Sequence, residues 1–155
     1  MVNIYMYITI RGPQKQSGAY GYILETIVQG KPVTLTKFGE LNGVSENEAW
    51  MDVMIAALGR MKKPVRLSIY AGCRALAAGF EQGWIEKWKS NGWKNAKGED
   101  VKHVEKWQQI EYLLNLAGFE FHVGVHHEYS DWLKRETEKE NEKLKEKRAE
   151  ETKHV

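Results

Sequence analysis

Three strand-like runs open this chain and constrain what the rest can become. Residues 2–10 (VNIYMYITI), 19–28 (AYGYILETIV) and 32–40 (PVTLTKFGE) are rich in Ile, Val, Tyr and Thr, which suit a pleated, half-buried surface. The first two are separated by RGPQKQSG, with Gly12, Pro13 and Gly18, and the last two by the tight turn QGK. Connections this short join antiparallel neighbours, because a parallel return needs a dozen or more residues. The N-terminal third is therefore predicted to be an antiparallel meander.

After the meander the apolar period changes. In SENEAWMDVMIAALGRM, the residues Trp50, Val53, Met54, Ala57, Leu58 and Met61 recur at helical spacing. Ser45, with Glu48 three residues later, makes a capping box, so a helix is predicted from there to about Met61. KKP ends it, VRLSIY reads as a fourth strand and CRALAAGFEQG as a second helix. Residues 83–100 mix Trp, Lys and Gly and read as a short helix plus an exposed loop. Residues 101–118 form an amphipathic helix stopped by Gly118, residues 119–127 (FEFHVGVHH) alternate as strand five, and EYSDWLKRE opens a last helix. The order β-β-β-α-β-α-(short α and loop)-α-β-α predicts an α/β domain: one mixed five-stranded sheet with helices on both faces.

Composition excludes more than it identifies. A chain of 155 residues is one domain with room for a real core. The net charge of +2 is too mild to argue nucleic-acid binding by itself. The lone Cys73 excludes an intrachain disulfide and fits a reducing, cytoplasmic setting. MVNIYMYITI lacks the basic start and cleavage site of a signal peptide, and no apolar run reaches the roughly 18 residues of a membrane span. From Lys134 onward the sequence is nearly all Glu, Lys and Arg, with Glu136–Lys139, Glu140–Lys143 and Glu142–Lys145 at helical pair spacing. Only Leu133 and Leu144 offer this helix anything to bury, so we expect a domain over 1–136 and a solvated, charged helical tail over 137–155 that frays toward Val155.

The Trp- and Lys-rich stretch GWIEKWKSNGWKNAKGEDVKHVEKWQQI carries a specific resemblance. It is similar, without gaps, to the basic protrusion, or handle, of cellular type 1 ribonuclease H, whose pattern is W-I-x-x-W-K-x-x-G-W-K followed by a V-K-x-V-x-x-W-Q helix. The matching residues are Trp84, Ile85, Trp88, Lys89, Gly92, Trp93, Lys94, Val101, Lys102, Val104, Trp107 and Gln108. GAYGYIL resembles the family's second strand, and SENEAWMDVMIAAL sits where the family has N-x-x-E-L-x-A-x-I-x-A-L. The resemblance covers about residues 2–136 and implies a ribonuclease H-like fold with the handle at about 84–107.

That family cleaves the RNA strand of RNA/DNA hybrids with two Mg²⁺ ions about 4 Å apart, held by four carboxylates because Mg²⁺ takes hard oxygen ligands. The resemblance implies that three of the four are gone. The strand-one Asp falls near Tyr7 or Ile8, and nothing acidic lies between Met1 and Tyr22. The helix Glu aligns with Trp50, and the T-D ending strand four aligns with Ala71-Gly72. SDWLKR matches C-D-E-L-A-R, so Asp131 is the one retained acid, although an acid opening a helix is also what the helix dipole favours. Glu46 lies one turn before Trp50 and is a second candidate; Glu48 is explained by the capping box. His126 or His127 matches the family's mobile His. Strand alternation puts His122 and His126 on one face and His127 on the other, which argues against a zinc site. Cys73 reads as core, its position near a helix start notwithstanding.

A lone Asp131, even with Glu46, does not hold two Mg²⁺ ions, so the expectation is an inactive site with no cofactor; Mg²⁺ or Mn²⁺ enters only if the protein is a divergent nuclease. The partner is then nucleic acid, RNA/DNA hybrid or duplex, reached through Lys87, Lys89, Lys94, Lys97, Lys102 and Lys106, with Trp88 and Trp93 stacking and Arg11, Lys15 and Lys37 extending the face. Glu86, Glu99, Asp100 and Glu105 dilute this patch. For Trp84 and Trp107, packing of the handle is favoured over contact with a ligand. Two alternatives stay open: a weak metal-dependent ribonuclease using Glu46 and Asp131, and a protein-interaction or self-association module whose old catalytic cleft has become apolar.

Overall fold

A computed structural model describes residues 1–116 and 118–153. Strand β1 (Val2–Ile8) is followed by β2 (Gln16–Val28) and β3 (Lys31–Val44), helix α1 (Glu46–Leu58), β4 (Leu67–Ala71), helices α2 (Arg74–Glu81), α3 (Trp84–Ser90) and α4 (Val104–Asn115), β5 (Phe119–Val123) and helix α5 (Ser130–Lys153). The sheet order is β3-β2-β1-β4-β5, with β1–β2 and β2–β3 antiparallel and β1–β4 and β4–β5 parallel. The mixed sheet and the predicted element order both hold.

Period-2 alternation sorts the strand residues between two cores. On one face Ile4, Met6 and Ile8 of β1, Tyr22 and Leu24 of β2, and Leu67 and Ile69 of β4 pack with Trp50, Met54 and Leu58 of α1 and Trp107, Ile110 and Leu114 of α4. On the other, Tyr5 and Ile23 pack with Leu133 of α5, with Tyr7, Phe38, Tyr70 and Tyr129 around them. The parallel junction of β1 with β4 aims both carboxyl ends at one edge of the sheet, where α1 and the start of α5 converge.

Several boundaries differ from the sequence reading, each for a local reason. LNGV continues β3 to Val44, because Leu41 pairs with Gly18 across a register shift and is buried. Ser45 caps α1 by accepting from Glu48 N at 3.4 Å, but the Glu48 carboxylate does not complete the box; it lies 2.8 Å from Lys106 Nζ on α4. Helix α1 stops at Leu58, short of Met61. Strand β5 stops at Val123, since Gly124 adopts φ +68° and turns the chain away. The predicted end of the 101–118 helix includes Ala117, which lies outside the described residues; α4 itself ends at Asn115.

At the C-terminus α5 runs unbroken from Ser130 to Lys153. Its inner face is not limited to two leucines. Thr137 is 0% exposed, and Arg148 reaches back to Glu40 of β3 at 3.2 Å. The three predicted Glu–Lys pairs form at 3.4, 3.3 and 3.2 Å, on the exposed side, where such pairs contribute little. Helix α5 lies this close because β2 carries Gly21 beneath it. A Cβ on Gly21 would overlap Thr137 Oγ1 and come within 2.9 Å of Phe38 Cδ1. We expect Gly21→Ala to cost about 1–3 kcal/mol, the usual range for overpacking, read as a lower urea midpoint. An unchanged midpoint would mean that α5 is not docked on β2.

Candidate nucleic-acid interface

The cleft at the carboxyl edge of β1 and β4 has a volume of about 250 Å³ and is walled by Met6, Tyr7, Arg11, Trp50, Tyr70, Ala71, Gly72, Gly124, Val125, His127, Ser130, Asp131, Leu133 and Lys134. It collects Tyr7, Trp50, Gly72 and Asp131, which the sequence reading placed at the four carboxylate positions. Of the two strand-one options, Tyr7 lines the cleft, whereas Ile8 is 0% exposed in the core.

Trp50 and Gly72 occupy the space jointly. An added Cβ on Gly72 would stand 3.1 Å from Trp50 Cζ2, closer than comfortable van der Waals contact. The indole is 5% exposed and its Nε1 finds no acceptor among the described residues. An orphan buried donor is unfavourable, so the ring is held there by packing rather than by hydrogen bonding.

Asp131 stands apart from other acids. Its side chain is 91% exposed, 3.6 Å from His126 Nε2. Glu46 is not beside it. Glu46 Oε1 accepts from Gly12 N at 2.9 Å, and it lines a different cleft of about 680 Å³ between α1 and the handle, with Pro13, Asp100, Lys102 and His103. Among the described residues no three His, Cys, Asp or Glu side chains converge on a point that could hold a metal ion. The donor set at the cleft therefore does not fit a pair of Mg²⁺ ions.

The histidines depart from the predicted alternation. Because β5 ends at Val123, residues 126 and 127 are not in a strand, and His122 and His127 both pack on Tyr70, at centroid distances of 4.3 and 5.5 Å. His122 Nε2 lies 2.7 Å from Ser68 Oγ. His127 Nδ1 accepts from Tyr129 N at 3.2 Å, which leaves the proton of the neutral ring on Nε2. Burial, and then the neighbouring His126, hold its pKa below the ordinary histidine value. Burial pushes the Cys73 thiol up to about 12, as suits a core residue.

Toward the other end of β1 lies a group that the sequence reading missed. Glu25 of β2 is 4% exposed and accepts from Asn3 Nδ2 at 3.0 Å, Tyr5 OH at 3.3 Å and Tyr129 OH at 2.5 Å. It ties the segment leading into α5 to the two central strands. Burial alone would raise its pKa, but the bonds donated by Tyr129, Asn3 and Tyr5 outweigh that and hold the carboxyl below its ordinary value. The same bond pushes the Tyr129 hydroxyl up to about 12. The available signal was alternation, which puts Glu25 on the inward face with Gly21 and Ile23.

The handle is a packed aromatic unit with a partly neutralised surface. Trp107 is 6% exposed; Trp88 leans on it at 5.2 Å and touches Trp84 and Trp93 at 6.1 and 6.4 Å. Lys89 pairs with Glu111 at 2.6 Å, Lys94 with Asp100 at 2.5 Å, and Lys106 with Glu48 and Asp52 at 2.8 and 2.6 Å. Lys87, Lys97 and Lys102 have no side-chain partner among the described residues. Lys87 and Lys94 border a surface groove with Trp84, Trp88, Ser90, Asn91 and Ala96.

A model of the RNase H family matches residues 10–143. The chain belongs to the RNase H family. Ribonuclease H of Acetivibrio thermocellus is 39% identical over 72 residues, 46% of this chain and 49% of that protein. Ribonuclease H of Acidovorax sp. (strain JS42) is 33% identical over 101 residues, 65% of each chain. The chain thus spans about half to two thirds of these curated relatives. Among solved structures, a type 1 RNase H with the type 2 active-site motif superposes with a TM-score of 0.72 at 17% identity, over 90% of this chain and 71% of that one. A second RNase H, solved in complex with RNA/DNA hybrid, superposes with a TM-score of 0.59 at 15% identity, over 86% of this chain and 93% of that one. At these identities the superpositions establish the fold.

Two measurements test the site. In this RNase H family member, Gly72→Ala should cost about 1 kcal/mol beside Trp50 and much less in a Trp50→Leu background. The double-mutant cycle cancels the glycine's own backbone effect, and a coupling of zero would show that the indole does not occupy this space. For Glu25, a folded pKa below the unfolded value means stabilisation that is full above the ordinary carboxylate range, about 4.3, and is lost as pH falls through the folded value. Glu25→Gln should therefore cost about 2 kcal/mol at pH 7, the order for hydrogen bonds to a charged group. The gap to wild type should close on acidification; a gap constant with pH would assign the loss to shape rather than charge.

Proposed function

We propose that this RNase H family member binds nucleic acid, RNA/DNA hybrid or duplex, without cleaving it. The observation that carries this reading is the convergence of Tyr7, Trp50 and Gly72 in one cleft with Asp131 as its only carboxylate. A hybrid-cleaving site stabilises transition-state charge with paired metal ions, and losing several kcal/mol of that stabilisation means many decades in rate. The handle supports the binding half of the reading, with aromatic faces beside unpaired Lys87 and, farther along, Lys97. So do the relatives named Ribonuclease H and the neighbour solved with RNA/DNA hybrid. A cytoplasmic setting goes with the reading, since the single cysteine is buried and free. No helix among the described residues is long and apolar enough to cross a membrane.

The divergent-nuclease alternative needs Glu46 and Asp131 at one ligand, and they line separate clefts. The protein-interaction alternative has one observation in its favour. At the far end of the β2–β3 hairpin, Val28, Val33 and Leu35 are 51%, 52% and 37% exposed, beside the free edge of β3.

Fluorescence anisotropy of a labelled RNA/DNA hybrid, followed over time in Mg²⁺ and then in Mn²⁺, decides among the three. The proposal expects a stable rise that weakens with salt. A rise that decays to a small-fragment signal would establish the nuclease. No rise would turn attention to the hairpin surface and to self-association by sedimentation. Within the handle, Lys87→Gln and Lys97→Gln should each weaken binding more than Lys89→Gln or Lys94→Gln, because the latter two are already engaged by acids.

A further inference from the structure

The dismantled cleft has changed sign as well as lost its acids. Two permanent cations line it, Arg11 and Lys134, against one carboxylate, Asp131, while His127 is held toward its neutral form. Arg11 is fixed in place. Its Nη1 donates to the carbonyls of Ile8 and Ile10 at 2.6 and 2.8 Å, and its Cζ stands 5.3 Å from the centroid of the Tyr7 ring. That anchoring uses one nitrogen; Nε and Nη2 have no acceptor among the described residues. Lys134, one turn after Asp131 on α5, has no acidic partner among the described residues. Glu138, one turn farther along α5, accepts from the Tyr7 hydroxyl at 3.1 Å.

A cleft walled by four carboxylates repels a phosphodiester until divalent cations neutralise it. A cleft walled by a pinned guanidinium and a free ammonium attracts the same phosphodiester directly. We propose that Arg11 and Lys134 together seat one backbone phosphate of a bound duplex without a divalent metal, at the place where the acid-bearing members of the fold would put their metal ions. The inference rests on the nucleic-acid reading above and adds to it where the backbone touches this chain and what replaces the metal. Three features support it. The guanidinium is positioned before any ligand arrives, so little ordering is needed on binding. Trp50 and Gly72 leave the floor of the cleft apolar, which strengthens a charge–charge contact above it. Gly124 and Gly72 keep two walls free of side chains.

The test is binding of a labelled RNA/DNA hybrid by the full chain, measured in excess EDTA and in Mg²⁺ across a salt series. Wild type, Lys134→Gln, and Arg11→Gln with Lys134→Gln are compared, with circular dichroism confirming that each is folded. Wild type should bind at least as tightly in EDTA as in Mg²⁺, which competes only as a counterion. The double variant should bind about tenfold more weakly, the order for a lost charge-assisted hydrogen bond. Its slope of log K against log salt should be shallower by about 0.9, the value of one phosphate contact. Lys134→Gln keeps the test informative if the double variant loses its loop, because Lys134 anchors nothing; it should weaken binding in the same direction. Binding that disappears in EDTA, or a wild-type slope in both folded variants, would overturn the phosphate seat while leaving nucleic-acid binding intact. No binding by wild type in either buffer would overturn the underlying reading and the seat with it.

Discussion

The contact between Trp50 and Gly72 decides the character of this fold's carboxyl edge. An α1 residue facing the sheet and the residue that follows β4 compete for one small volume, and the indole has taken it. A side chain at 72 would have to shift the ring by a few tenths of an ångström, against the packing that places it in one core with Met6 and Ala71. Positions 50 and 72 are therefore coupled: the indole limits what position 72 can carry. The third position, Tyr7, closes the remaining gap from the α5 side, with its hydroxyl held by Glu138.

The protein also retains links between elements that metal-binding acids would otherwise join. In an acid-bearing site, carboxylates share bound cations, and those cations link strand one, strand four and the last helix. Here a linkage between β1, β2 and the entry to α5 is made by Glu25, buried opposite Asn3 near the start of β1, with Asn3, Tyr5 and Tyr129 around it. Stacking of His122 on Tyr70, with His127 meeting the same ring edge-on, extends the linkage to β5. A buried carboxylate with three donors stabilises only as long as it is ionised and fully partnered, so this structural anchor is itself a titrating group.

How much of this could be read from the sequence follows from how local each determinant is. The element order was legible because periodicity switches from 2 to 3.6 inside single segments. The handle was legible because its aromatic spacing is contiguous. The cleft residues Tyr7, Trp50, Gly72 and Asp131 were legible only through resemblance, as they lie more than a hundred residues apart at the extremes. Glu25 was missed because a glutamate in a strand reads as solvent-facing until its partner Tyr129, 104 residues later, is brought next to it. Thr137 was missed for a similar reason. A threonine in a charged helix looks exposed, and only Gly21 on another element makes room for it. The pairing of Lys89 with Glu111 and of Lys106 with Glu48 and Asp52 likewise depends on how α3, α4 and α1 pack.

Those ion pairs explain the mild net charge without contradicting an electrostatic role. Acids on the inner sides of α1 and α4 hold Lys89 and Lys106 against the body of the domain, and Asp100 folds the handle turn onto Lys94. Glu86, Glu99 and Glu105 still face outward on the handle, beside the cations that no acid engages among the described residues: Lys87 and Lys97 on the handle, Lys102 beside it, and Lys134 at the cleft. A duplex crossing from the handle to the cleft would meet separated single charges rather than a continuous basic stripe. Such spacing favours a ligand whose charges are themselves regularly spaced and rigidly held, which a duplex backbone supplies and a flexible acidic peptide does not.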